Sequence, residues 1–106
     1  NGKCRVKMEI ADSIRAPFGM VFGGAIFSLA ESAAALAATS LNEAYVTMDS
    51  TINFLNPGIG EFLYADGEII HRGDTSCIVE VIVSDDEDGV ISKATFTMFK
   101  VEMSAL

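Results

Sequence analysis

"VFGGAIFSLAESAAALAATSL", Val21 to Leu41, decides how the rest of the chain is read. It is small or apolar throughout except for one charge, Glu31. Alanine dominates it, which favours helix and lets other backbones approach closely. A helix is therefore expected over roughly 24–41, ending near Asn42. Three and four residues from Glu31 stand Phe27, Ser28, Ala34 and Ala35, and no Lys or Arg occurs between Ala16 and His71. A buried, unpaired carboxylate is costly, so Glu31 is either exposed or placed there for a use. The same stretch is the only one long enough to span a membrane. A central charge would cost at least ~2.5 kcal/mol there, and alanine offsets little of it, so a buried helix of a soluble protein is the expectation.

On either side of this helix the hydrophobic period changes. "KCRVKMEI" (Lys3 to Ile10) alternates basic and apolar residues, the mark of a half-buried strand. "ADSIRAPFG" reads as a loop, broken by Pro17 and Gly19. Beyond the helix, "YVTMDSTINFL" (Tyr45 to Leu55) is a strand closed by the turn signal "NPG". Three more strands are expected over Glu61–Arg72, Thr75–Ser84 and Val90–Glu102, joined by "RGD" and "DDEDG". The acidic turn reads as a solvated tip. One strand, a long helix and four strands in succession make an α+β domain, with an antiparallel meander wrapped around the helix. The methionines read as core filler.

With 106 residues, the chain forms a single domain, 1–106, with one core. Half of it is hydrophobic, high for this size, which points to apolar surface buried against a second copy. A net charge of -8 argues against nucleic acid, where phosphate contacts need clustered cations, and against anionic membranes. Cys4 and Cys77 have no metal-ligand spacing and make no disulfide framework, and no secretory signal opens the sequence. A cytoplasmic protein without metal is expected.

The helix start is the second unusual feature. "FGGA" (Phe22 to Ala25) has no Ser, Thr, Asp or Asn at the usual capping position. It is either a tight glycine corner or a place where free N–H groups meet a ligand at the positive end of the helix dipole. Glu31 lies eight residues beyond Gly23, ~12 Å along the axis. Both can act on one atom only if two antiparallel helices meet, Gly23 of one copy facing Glu31 of the other. His71 stands alone and makes neither triad nor metal site.

"FGGAIFSLAESAAALA", "INFLNPG" and "IIHRGDTSCIVEVIVSDDEDGVISKATFTMF" together resemble the hotdog-fold acyl-CoA thioesterases. The similar subgroup includes the phenylacetate-pathway thioesterase and one 4-hydroxybenzoyl-CoA thioesterase type. The resemblance implies a hotdog fold, homodimers or homotetramers with sites between subunits, an acyl-CoA substrate and no cofactor. Gly23, Gly24 and Glu31 match the family's His-Gly-Gly and acidic residue in spacing. It thus implies that the Gly23 amide polarises the thioester carbonyl, and that Glu31 of the partner is nucleophile or general base. Phe22 stands where the family has His, Ala16 where it has Asn or Gln, and Ala35 where it has Thr or Ser. Thioester hydrolysis, weak or altered, is the expectation, with non-catalytic acyl-CoA binding as the alternative. Asn53, on a strand near the helix, is a candidate to orient the ligand. Arg72 and Lys93 are candidates to hold the phosphates of coenzyme A, or are ordinary surface charges.

Overall fold

The structure is a computed structural model, described for residues 2–15, 20–40, 42–87 and 89–102. Its elements are β1 (Lys3–Glu9), a 3-10 turn (Asp12–Ile14), α1 (Gly23–Thr39), β2 (Ala44–Phe54), β3 (Phe62–Arg72), β4 (Ser76–Asp85) and β5 (Val90–Val101). The helix thus starts one residue before the expected point, and Leu41 lies outside the described residues. Each expected strand is present, with ends shifted by one residue at most. No described helix is long and apolar enough to cross a membrane.

All five strands form one antiparallel sheet in the order β1-β3-β4-β5-β2. This corrects the expected meander. β3, β4 and β5 do follow one another, but β2 pairs with β5 and β1 with β3. The helix carries the chain from one edge of the sheet to the other, so β1 and β2 end as opposite edges. The segment after β2, with "NPG", is a crossing between distant strands, not a hairpin.

Cross-strand partners share a face, and burial shows which face meets the helix. Val79, Val81 and Val83 on β4 and Ala94, Phe96 and Met98 on β5 are buried beneath α1. The helix touches every strand. Its inner side is Ile26, Leu29, Ala30, Ala33, Ala34, Ala37 and Ala38, the five alanines being completely enclosed. Alanine permits this because backbone, not side chain, meets the sheet: a Cβ at Gly67 of β3 would stand 3.0 Å from the Ala33 carbonyl oxygen. Phe27 reaches past this seam to stack on Phe96, ring centroids 5.7 Å apart. Met98 is core filler as expected. Met48 is not: it sits at a bulge in β2 and is 60% exposed, and Met103 lies outside the described residues.

The acidic turn also departs from expectation. Asp85 is buried, and its carboxylate accepts N–H bonds from Glu87 at 3.0 Å and Gly89 at 2.9 Å, closing the turn from within. Asp86 reaches across to accept from the amides of Glu61 and Phe62. The turn is therefore a clamp on the start of β3 and not a free tip.

Candidate active site

Phe22 occupies the N-cap of α1 in extended conformation and gives no side-chain cap. Its carbonyl accepts the amides of Ala25 at 3.0 Å and Ile26 at 3.2 Å, and its own amide donates to Ile14. The amides of Gly23 and Gly24 have no partner among the described residues. A Cβ at Gly24 would meet nothing within 4 Å, so the backbone there is open to approach. Two N–H groups at a helix start without a cap form a donor pair suited to a developing negative charge on oxygen.

Glu31 lies two turns further along the helix. It is half-buried within one chain, neither enclosed in the core nor fully exposed. The reason is position: residues 28, 32, 36 and 39 form the outer side of α1, and Glu31 stands at its border. No ion pair or hydrogen bond reaches its carboxylate among the described residues. Ala35, one turn on, is half-buried beside it. Ala16 lies outside the described residues.

The other expected site residues are scattered. Asn53 pairs with Lys93 across the β2–β5 ladder, and both are exposed on the sheet face turned away from the helix. Lys93 is 3.7 Å from Glu80, and Arg72 is 3.7 Å from Glu43, which also takes Lys100 at 3.3 Å. Within one chain neither Asn53, Arg72 nor Lys93 is brought to Gly23.

The residue that does reach it is Phe54. A Cβ added at Gly23 would stand 3.3 Å from the Phe54 ring, so the aromatic lies directly on the glycine. The strand period carries this signal: if Asn53 faces outward, Ile52 and Phe54 face the helix. Around this contact lies a cleft of about 330 Å³ walled by Met20, Val21, Ile26, Phe54, Leu55 and Pro57. A larger, shallow concavity of about 640 Å³ runs over the outer face of β1 and β3. Its charges answer one another, Lys3 with Glu68 at 3.4 Å and Arg5 with Asp66, and the open helix start is elsewhere.

A helix with an open, uncapped start held in a curved antiparallel sheet is the architecture of the hotdog thioesterases, and the comparisons agree. Residues 18–92 match the family described as the thioesterase superfamily. The chain belongs to that superfamily. It is 30% identical, over 93% of its length and 85% of the relative's, to 1,4-dihydroxy-2-naphthoyl-CoA hydrolase of Listeria monocytogenes. Among solved structures it resembles a hypothetical thioesterase of Streptococcus pneumoniae in complex with coenzyme A, with TM-score 0.90 and 33% identity, covering 95% of this chain and 82% of that one. It also resembles a Streptococcus mutans protein bound to acetyl CoA, with TM-score 0.89 and 36% identity over 94% and 82% of the two chains.

Proposed function

We propose that the protein hydrolyses an acyl-CoA thioester to the free acid and coenzyme A, at a site shared by two copies of the chain. The observation that carries this reading is the pair of unpartnered Gly23 and Gly24 amides on the helix that also bears the unpaired Glu31. The Gly23 N–H donates to the thioester carbonyl oxygen and stabilises the negative charge that grows there on attack. Glu31 of the second copy either attacks the carbonyl carbon or takes a proton from the water that does. The thiolate of coenzyme A leaves, and where Glu31 is the nucleophile, water then opens the acyl–Glu31 anhydride to release the acid and restore the carboxylate. Coenzyme A on the Streptococcus pneumoniae relative and acetyl CoA on the Streptococcus mutans one support the substrate class.

The second copy is required by distance, since Gly23 and Glu31 of one helix are ~12 Å apart along its axis. β2 offers the seam. It is an edge strand of eleven residues with Val46 and Met48 bare, and such an edge is a template for pairing. Phe22, where related enzymes carry His, contributes shape and no hydrogen bond. One lost oxyanion donor typically costs ~10²–10³ in rate, so turnover is expected to be slow beside relatives that keep it.

Thiol release from a panel of acyl-CoA thioesters tests this, wild type beside Glu31→Ala. Wild-type turnover that disappears in a variant with unchanged melting temperature is the expected result. Equal hydrolysis by both proteins would remove Glu31 from the reaction. Saturable binding of acyl-CoA without any hydrolysis by wild type would leave the non-catalytic alternative.

A further inference from the structure

The cleft beside the helix start has a chemistry of its own. Among the described residues its walls carry no charged side chain. The one amide side chain among its lining, Asn56, is already committed: its Nδ2 donates to the Val90 carbonyl at 2.7 Å. Gly58, at the base, is packed against Val21 and Ile91. Phe54 and Leu55 nevertheless keep 53% and 54% of their surface bare, which is apolar area without a partner on the wall of a cavity. Gly23 itself lines the cleft beside the Phe54 ring, so whatever fills it lies next to the helix start. Across the β2–β5 ladder from Phe54, on the same face, Ser92 is completely buried and its hydroxyl has no partner among the described residues. Ser92 is not part of the cleft lining.

We propose that this cleft holds the acyl group of the substrate, that the acyl group is uncharged and apolar, and that Phe54 sets its size. The proposal rests on the reading of Gly23 as the thioester's oxyanion donor and adds the substrate class to it. An acyl group ending in a carboxylate or bearing ring hydroxyls would bury polar atoms with nothing to bond, at a cost of a few kcal/mol for a hydroxyl and more for a charge. A cavity of 150 Å³ lined by apolar side chains takes benzene. The cleft of about 330 Å³ is therefore matched by roughly six to twelve carbons, a medium alkyl chain or a one- or two-ring aryl group. Because Phe54 stands directly on Gly23, its ring fixes how far that group can run past the carbonyl.

Calorimetry with non-hydrolysable thioether analogues of acyl-CoA tests the cleft apart from the reaction. For wild type, affinity should rise about two- to fourfold per added methylene, stop rising near twelve carbons, and fall at least tenfold when the chain ends in a carboxylate. Phe54→Ala should move the limit to longer chains. Phe54→Trp should shorten the limit and provides the reading should the alanine variant not fold. Affinity independent of chain length, equal binding of the carboxylated chain, or an unchanged limit in both variants would overturn the proposal. Length-dependent binding with no thiol release from true thioesters would uphold the cleft while refuting hydrolysis.

Discussion

At Gly67 the sheet comes close to the helix backbone, and Gly67→Ala measures how tightly they are set. The added Cβ would lie 3.0 Å from the Ala33 carbonyl oxygen and 3.3 Å from its carbonyl carbon. Both atoms are backbone, so no rotamer change relieves the contact. The helix must lift by a few tenths of an ångström, and the alanines that flank Ala33 lift with it. Such overpacking costs about 1–3 kcal/mol. Replacing a strand glycine returns about 0.5–1 kcal/mol of backbone entropy. The net expectation is a loss of about 0.5–2 kcal/mol, or about 4–8 °C in Tm for each kcal/mol. Thermal unfolding followed by circular dichroism at matched protein concentration reads this directly, and Gly67→Val should lose more. A Tm equal to or above wild type for Gly67→Ala would refute the close seam.

Two further predictions concern single side chains. Ser92→Ala removes a buried hydroxyl that has no partner among the described residues and should stabilise the protein by about 1–3 kcal/mol; a lower urea midpoint would refute an unsatisfied hydroxyl. Exposed Asp86 loses some hydration to its neighbours, which raises its pKa, but the Glu61, Phe62 and Asp86 amides and the Lys7 charge outweigh this and hold the carboxyl below the ordinary range. A group with a lowered folded pKa stabilises above its unfolded value, about 3.9, and loses that contribution as acid carries the pH down through the folded value. Urea midpoints of wild type should therefore exceed those of Asp86→Asn at pH 6, with the gap closing below about pH 4; a gap that persists at pH 2 would refute the clamp.

The elements were legible in the sequence because their periods are clean. Alanine spacing marks α1, and β-branched runs broken by Gly, Pro and Asp mark the strands. The strand order was not, because it depends on where the helix delivers β2, a matter of length across the sheet and not of any local residue. Gly23, Gly24 and Glu31 were legible as exceptions to local rules: an uncapped helix start and a charge with no partner. Phe54 was missed although period two pointed to it, since polar Asn53 drew the functional reading to the other face of β2. The role of Asp85 and Asp86 was hidden for a different reason. Four consecutive acids look like a solvated tip, and their partners at Glu61, Phe62 and Gly89 appear only once the ends of two strands meet.

The five alanines enclosed along α1 bear on how such a protein can diversify. All five are fully enclosed, so a larger side chain at any of them overpacks the seam and shifts the helix that carries the amides of Gly23 and Gly24. Drift is thereby barred from the scaffold that carries the reacting groups. Phe54 and Leu55, half bare at the end of an edge strand, face no such barrier, and substitutions there alter what fits while leaving the fold intact. New substrates can thus be acquired at the wall of the cleft while the helix beside it holds the reacting groups constant.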